Sequence, residues 1–368
     1  MQKSLFSEWV DKHFPNLVIS IAETLNGRSL TNQIPFLFTT MLDNEYTPDS
    51  RWQSISGKHQ NIAADVVALG APTPLKRRDK LNSYVGDIPK ISIMRSLDEV
   101  EMKKIEVMIA QNRPEEEIIR RIFDDIPFVI NGVDERIEDI FQSELSTGVG
   151  MAVNNIGEQV RLDMGYTDYA DNHKGVSALW TAANSAAGTA RPMDDITNLL
   201  DQAEKDGNAV INCFADNTAL RAMFANAQVR NYFGFQSNFA GDSSSIPTLS
   251  FRQLQELFAD EWDINLVRVR RSTTTEVNGT RTDHKAWANG RMVFTCDERV
   301  GSLVYTSVAE ESHQDPAATY QKANDYTLVS KFSDQEPLVE YTKAQAMAVP
   351  VLRNVNRIYS LDTLTVQS

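Results

Sequence analysis

The chain has 368 residues, a formal net charge of −14 and a sequence pI near 4.9. Hydrophobic residues make up 42% of the chain and charged residues 23%, which is ordinary for a folded protein with a sizeable core. The acidic balance argues against a general nucleic-acid coat, and no apolar run approaches the roughly 20 residues of a membrane span.

The first 50 residues mix short amphipathic pieces with loops. In SLFSEWVDKHF, the residues Leu5, Trp9 and Phe14 recur near helical spacing, and Ser4 is a suitable N-cap. The next apolar piece, IPFLFTTML, indicates a short strand or an apolar arm.

A long extended segment follows at residues 51–94. Its centre, PTPLKRRDKLNSYVGDIPK, carries five basic and two acidic residues, a local charge of +3 in an acidic chain. Proline and glycine exclude a helix there and limit strand pairing to edges. Since loops longer than about 12–15 residues usually bind something or are disordered, we expect this segment to bind a partner. The basic residues at its centre are Lys76, Arg77, Arg78 and Lys80.

The next 50 residues are the most helical part of the chain. Ser96 precedes an acidic first turn, Pro114 opens a second helix, and IPFVINGVDERIEDIFQSELSTG predicts a long helix with one apolar face. Gly148 is expected to end that helix. From Asp98 to Glu144 there are 14 acids and 6 bases, a charge of −8, which predicts a strongly acidic solvated face.

The second half of the chain has a mixed pattern. Residues 194–233 predict helix, strand and helix, an α/β unit with short loops. Asn278-Gly279 is a strong hairpin signal between two strand-like runs. The tail from about residue 325 indicates mostly strands.

Catalytic motifs are scarce. The histidines have no metal-ligand spacing, and the pairs Asp124-Asp125 and Asp194-Asp195 adjoin helix starts, where carboxylates satisfy free N–H groups. The glycines of GVGMAVNNIG are explained by helix termination and a tight turn. Cys213 and Cys296 lie in separate apolar segments and are expected to be buried, reduced residues. We therefore expect no catalytic, cofactor or metal site.

A second basic zone surrounds the predicted hairpin. Interleaved arginines of this kind contact either nucleic-acid phosphate or the acidic face of a neighbouring copy. Aromatic stacking residues are few here, which favours the neighbouring copy. The zone comprises Arg268, Arg270, Arg271, Arg281, Lys285 and Arg291.

These patterns favour an assembly protein, whose basic segment lies across the next subunit and pairs with acidic helices. Two other classes stay open. One is an α/β hydrolase or transferase with a lid at residues 50–94 and a pocket near Asp194 or His173. The other is a nucleic-acid-binding module that uses the hairpin arginines.

The order of elements resembles the tailed-phage major capsid proteins, in particular the lambda-type major capsid protein E family with the Hong Kong 97-type capsid fold. PTPLKRRDKLNSYVGDIPKISIM stands where that family has its extended loop, and VDERIEDIFQSELSTG resembles the end of its spine helix. MDDITNLLDQAEKDGNAVINCFADNTALRAMFANAQVRNYF and GRMVFTCDERVGSLVYT resemble its axial domain. EPLVEYTKAQAMAVPVLRNVNRIYSLDT resembles its closing strands.

The resemblance implies an α+β fold with an N-terminal arm at residues 1–50, an extended loop at 51–94 and an axial domain at 166–324. The peripheral domain, with the spine helix, would comprise 95–165 and 325–368. It implies no enzyme but a bacteriophage structural protein, assembled in the host cytoplasm into hexamers and pentamers of an icosahedral virion shell around double-stranded DNA. An encapsulin-like nanocompartment shell is the alternative.

The same resemblance implies partners. No self-scaffolding N-terminal segment is evident, so a separate scaffolding protein is expected, together with portal and decoration proteins and no membrane. Lys76, Arg77, Arg78 and Lys80 would lie at the inter-subunit interface. DNA would meet the inner face without sequence specificity, and the acidic helical segment suggests an interior that repels phosphate.

Overall fold

The computed structural model of the chain describes residues 2–27, 34–57, 64–67, 81–153, 159–236, 249–277 and 279–367. The helices are α1 (Ser7–Gly27), α2 (Phe38–Met41), α3 (Glu99–Ala110), α4 (Glu115–Ile122), α5 (Asp125–Thr147), α6 (Ala182–Ala186), α7 (Pro192–Lys205), α8 (Asn217–Ala225), α9 (Ala227–Gln236), α10 (Phe251–Trp262) and α11 (Ala309–Ser312). Short 3-10 helices cover Tyr166–Asn172 and Val355–Arg357.

The described strands lie between residues 42 and 366. They are β1 (Leu42–Tyr46), β2 (Arg51–Gly57), β3 (Leu81–Asp87), β4 (Lys90–Leu97), β5 (Val149–Val153), β6 (Gln159–Asp163), β7 (His173–Val176), β8 (Asn212–Ala215), β9 (Asn265–Arg268), β10 (Thr273–Val277), β11 (Thr280–His284), β12 (Arg291–Thr295), β13 (Gly301–Thr306), β14 (Thr319–Lys322), β15 (Thr327–Gln335), β16 (Leu338–Leu352) and β17 (Ile358–Val366).

The predicted long helix is confirmed as α5, which runs for 23 residues. Its apolar stripe is fully buried, because it packs across β4 and β16 and against α1. Gly148 ends the helix in the left-handed region at φ 78°, and its N–H bonds to the Glu144 carbonyl at 2.7 Å. The buried stripe comprises Val129, Val133, Ile137, Ile140, Phe141 and Leu145.

One sheet has the order β1-β13-β16-β15-β14, with β4 also paired to β16. The long strand β16 joins its parts, because its N-terminal half pairs with β4 and β15 and its C-terminal end pairs with β13. One hydrophobic core fills the space between this sheet, α5 and the buried face of α1.

A second sheet has the order β7-β17-β12-β8-β9 and is packed against α7, α8 and α10 around a separate hydrophobic core. The predicted unit at residues 194–233 is therefore confirmed as helix, strand and helix. The predicted hairpin is also confirmed: β10 and β11 pair in antiparallel register with Val277 opposite Thr280. Cys213 and Cys296 are buried free thiols, as predicted.

Three local predictions were wrong. Asp98, not Ser96, caps α3, because its carboxylate accepts the Glu101 N–H at 2.8 Å while Ser96 pairs within β4. The helix after β8 is divided at Asn226, whose side chain caps α9 by accepting the Gln228 N–H. The apolar piece before β1 does not form the short strand considered for it, since Phe38–Met41 is the helix α2, and its alternative, an apolar arm, stays a prediction.

Gly301 marks the closest backbone approach between β13 and β16. A Cβ atom there would lie 2.1 Å from the Val351 carbonyl oxygen, a contact that backbone atoms cannot relieve without moving the strand. Gly301→Ala should therefore lower the free energy of unfolding by about 1–3 kcal/mol, measured by urea denaturation of the subunit. Ser307→Ala, at an exposed position nearby, is the control. Equal midpoints for the two variants would contradict this packing.

Candidate assembly surface

The hairpin of β2 and β3 is the part of the predicted extended loop that the structure describes. Its two strands pair from Arg51 opposite Asp87 to Gly57 opposite Leu81. The four predicted interface residues belong to the connection between these strands and lie outside the described residues; they are Lys76, Arg77, Arg78 and Lys80.

The inner face of the hairpin is fixed to its own molecule. Ser54 donates a hydrogen bond to the Leu352 carbonyl at 2.7 Å, at the C-terminal end of β16. Trp52 is buried, and its ring covers Gly86, where a Cβ would lie 2.7 Å from the indole nitrogen. A side chain at residue 86 would thus push the ring away, so the two strands depend on glycine here.

Asp168 of the 3-10 helix provides a second anchor. Its carboxylate accepts the Tyr84 hydroxyl and, at 2.7 Å, the Asn82 amide. The hydrogen bond to this carboxylate is the main reason why the pKa of Tyr84 is raised to about 12. The tyrosine therefore remains a hydrogen-bond donor throughout the physiological range.

No described residue of the chain covers the outer face of the hairpin. Ile55 and Val85 are diagonal neighbours on it and are 53% and 57% exposed. Exposed apolar side chains side by side on a two-stranded sheet are typical of a surface that another molecule covers. Sequence reasoning missed this face, because the buried side of RWQSISG carries two serines beside Trp52 while the exposed side carries Ile55, so polarity does not mark the covered side.

The N-terminal residues are held by a buried ion pair. Glu340, on β16, accepts the Ser4 hydroxyl and the Leu5 N–H, so Ser4 does not cap α1. Lys331 is completely buried 3.8 Å from Glu340 and also donates to the Ile122 carbonyl. Burial lowers the pKa of Lys331, and the neighbouring Glu340 opposes that shift. The sequence alone gave no sign of this contact.

The expectation of an acidic solvated face was wrong for α5. Five of its acids are buried: Asp125, Asp134, Glu138, Asp139 and Glu144. Most of these carboxylates accept hydrogen bonds from, or form ion pairs with, residues of other elements. Asp134 accepts the Tyr326 hydroxyl at 2.9 Å, and Glu138 accepts the Phe38 N–H at 3.0 Å. Burial raises the pKa of Asp134 to about 7. The exposed acids of the segment lie instead on α3 and α4.

Glu144 differs from the other buried acids. Both of its carboxyl oxygens are buried without a hydrogen-bond partner, and it fits only because Gly150 has no side chain. Burial raises the pKa of this carboxyl well above the usual value, so the folded protein keeps the Glu144 proton to higher pH than the unfolded chain does.

The basic zone is largely satisfied within the chain, contrary to expectation. Arg271 pairs with Glu135 and lies 3.8 Å from the Phe36 ring centroid. Arg291 pairs with Asp362 at 3.1 Å. The other described contacts are Arg281 with Glu276 and Arg268 over the Phe251 ring. Arg270 and Lys285 have no ion pair in the described part of the chain.

The positions suggested for an enzyme pocket do not form one. His173 is stacked on Tyr166 at 3.9 Å, bonds to Ser360, and has a pKa lowered by burial to about 3. Asp194 pairs with Arg191 within the first turn of α7. Across the described ranges, no three potential ligand side chains gather as a metal site would require. Nor does any described helix have the length and apolarity to cross a bilayer.

The unpartnered carboxyl of Glu144 predicts a pH effect. As pH rises above about 4.5, the unfolded chain ionises Glu144 while the folded chain does not, so wild-type stability falls. Glu144→Gln removes the ionisable group and therefore the loss of stability that its ionisation in the unfolded chain causes. As pH rises from 5, the stability of this variant should therefore rise relative to wild type, with a slope of up to about 1.4 kcal/mol per pH unit until the folded carboxyl also ionises. The comparison is made at pH 5 and pH 8. Urea denaturation at both pH values checks this, with the exposed Glu204→Gln as control. Parallel pH profiles for Glu144→Gln and wild type would contradict it.

Comparison with known proteins identifies relatives of this fold. A comparison with curated protein sequences found no match. A structure assigned as a prophage capsid protein from Escherichia coli CFT073 has a TM-score of 0.56 and 14% identity, covering 94% of this chain and 98% of that one. A phage-related protein from Bordetella bronchiseptica RB50 has a TM-score of 0.50 and 11% identity, covering 95% and 97%.

The sequence itself matches a family model, that of the phage major capsid protein E, over residues 21–363. The match includes both sheets, the hairpin and α5. It also confirms the family that the order of elements predicted. The chain therefore belongs to the phage major capsid protein E family, with the Hong Kong 97-type capsid fold and the function of a structural protein of the virion shell.

Proposed function

We propose that this major capsid protein forms hexamers and pentamers of an icosahedral shell that encloses double-stranded DNA. The observation that carries the proposal is the hairpin of β2 and β3. Its inner face is bonded to the molecule through Ser54 and Tyr84, whereas its outer face leaves Ile55 and Val85 uncovered. A neighbouring subunit would cover that outer face in the shell.

The basic connection of the hairpin is proposed as the second part of the same interface. Its charge of +3 within a chain of −14 favours contact with another copy, because the exposed surfaces of α3 and α4 are rich in acids. The residues proposed for this contact are Lys76, Arg77, Arg78 and Lys80.

The proposed domains follow the two hydrophobic cores. The core around α5 and β16 supports a peripheral domain at residues 95–165 and 325–368, and the core around the second sheet supports an axial domain at 166–324. Three described strands cross these limits, since β13 and β14 pair in the first sheet and β17 pairs in the second. Residues 1–50 are the proposed arm, with α1 docked on its own molecule, and 51–94 the proposed extended loop.

The protein is proposed to act without catalysis. Assembly would take place in the host cytoplasm with a separate scaffolding protein, and portal and decoration proteins would complete the shell. Contact with DNA would be made on the inner face without sequence specificity. The burial of five acids in α5 weakens the idea that this helix supplies a phosphate-repelling interior.

Reversing the basic connection tests the interface. The variant should leave the fold of the single subunit intact, because these side chains are not needed for either core, but should abolish shells seen by negative-stain microscopy of the co-expressed capsid proteins. The variant carries Lys76→Glu, Arg77→Glu, Arg78→Glu and Lys80→Glu.

A control with the same change in net charge separates this contact from a general charge effect. It reverses four exposed basic residues that have no ion pair in the described chain, and it should still form shells. Normal shells from the first variant, or loss of shells from both, would contradict the proposed interface. The control carries Lys3→Glu, Arg113→Glu, Lys205→Glu and Arg221→Glu.

A further inference from the structure

A slot of about 550 Å³ runs along the outer edge of β9. Seven consecutive residues, 265–271, form its base, so the slot is about 23 Å long. The helix α10 borders it on one side, and α5 with the segment that leads into α2 borders it on the other. The two faces of β9 explain these walls, because Leu266 packs in the second core and Val267 packs against the first.

The backbone of β9 is free to bond along this slot. β9 is the last strand of the second sheet, and no described strand pairs with its outer side. The Val269 N–H donates to the Ala215 carbonyl at 2.9 Å, on the side of β8. Because the backbone groups of a strand alternate between its two edges, those of Leu266 and Arg268 point outwards. The Gln255 side chain bonds to the Leu266 carbonyl there at 2.9 Å. An open edge of this kind is a template for a further strand.

Positive charge lies along one face of this edge. Arg268 and Arg270 are two residues apart in extended chain and are therefore on the same face. Neither has an ion pair in the described ranges, and the Nε atom of Arg268 is buried without a hydrogen-bond partner. Burial and, after it, the charges of Arg270 and Arg221 lower the pKa of Arg268. The subunit thus leaves the positive charge of this face uncompensated.

The wall on the other face is apolar. Ile34 is 44% exposed, and Pro35 and Leu37 also line the slot. Arg271 on this side is already paired with Glu135. A strand in the slot therefore needs acidic side chains towards the two free arginines and apolar side chains towards this wall. Since the side chains of a strand alternate between its faces, the slot fits an extended peptide in which acidic and apolar residues alternate.

The chain itself does not supply such a strand. Its sequence has two acid–apolar–acid runs, EVE at 99–101 and EWD at 261–263. The first belongs to α3 and the second to the end of α10, so a second copy presents neither of them as a strand. Nucleic acid fits less well than peptide, because a phosphate backbone offers only acceptors, whereas the edge of β9 presents both N–H and C=O groups.

We propose that the slot along β9 binds an extended acidic segment of a separate protein, which adds a strand to the second sheet. Backbone hydrogen bonds to the open edge hold the segment, and Arg268 and Arg270 select its acidic side chains. The slot lies within one subunit, so this inference goes beyond the proposed function and does not depend on the shell.

Peptide binding to the folded subunit tests the proposal. The probe is the fluorescein-labelled peptide TEVEVEVT, and TKVKVKVT is its matched opposite. Fluorescence anisotropy at low ionic strength should show at least tenfold tighter binding of the acidic peptide. The double variant Arg268→Glu with Arg270→Glu should reverse this preference. The control variant, Arg113→Glu with Lys205→Glu, has the same net charge at exposed positions elsewhere and should behave as wild type.

A single substitution guards against loss of the fold. Circular dichroism and urea denaturation check each variant, and Arg270→Glu is the safest of them because that side chain is exposed. Alone it should weaken binding of the acidic peptide at least threefold. Equal binding of the two peptides by wild type, or the same loss in the double variant and in its control, would overturn the proposal.

N-methylation of the probe tests the strand pairing. A strand added at an edge uses the N–H groups of every second residue. N-methyl groups on the three glutamates and N-methyl groups on the three valines should therefore have different effects. One set should abolish binding, and the other should leave the affinity within threefold. Similar effects of the two sets would argue decisively against an added strand.

Two further outcomes would assign the slot to a different occupant and so reject the proposal. A short DNA duplex that displaces the acidic peptide and binds more tightly than it does would assign the arginines to phosphate. Sedimentation velocity of subunits without peptide covers the second case. Self-association that is lost in the double variant and kept in its control would assign the slot to a second copy.

Discussion

The buried acids of α5 are the constraint on which the rest of the fold depends. A carboxylate taken out of water must find donors or keep its proton, and each donor here comes from a different part of the chain. Tyr326 reaches Asp134 from the loop before β15, the Phe38 N–H reaches Glu138 from α2, and His284 lies 2.7 Å from Asp139 at the end of β11. Apolar packing alone tolerates rotation of a helix, whereas these contacts set the rotation of α5 and the position of each element bonded to it.

The parts of the fold that could be predicted are those with local causes. The apolar period around Val133 and Ile137 and the glycine at 148 predicted α5 and its end, and Asn278-Gly279 predicted the β10–β11 hairpin. The burial of the acids could not be predicted, because the residues around an acid on a helix can be the same whether that acid faces solvent or the core. The same reason explains why the partners of the basic zone within its own chain could not be predicted, since Arg271 bonds to Glu135 across 136 positions of sequence.

Only one part of the candidate interface, the basic connection of the hairpin, could be predicted from the sequence. The basic connection is visible because its charge contrasts with the chain around it. The anchorage of the hairpin is not visible in the sequence, because Ser54 bonds to the Leu352 carbonyl and Tyr84 to Asp168 only after folding. Ile55 and Val85 lie on the paired strands β2 and β3, yet the sequence of these strands does not say which face of the hairpin stays uncovered after folding.

The anchoring of the hairpin matters for the proposed assembly. If its outer face could turn back onto its own subunit, that intramolecular contact would compete at a high effective concentration with any contact to another copy. Ser54 and Tyr84 hold the inner face on Leu352 and Asp168, so Ile55 and Val85 stay exposed on the other side. The described part of the subunit therefore leaves this apolar pair to be covered by another molecule, which is the condition that the proposed interface requires.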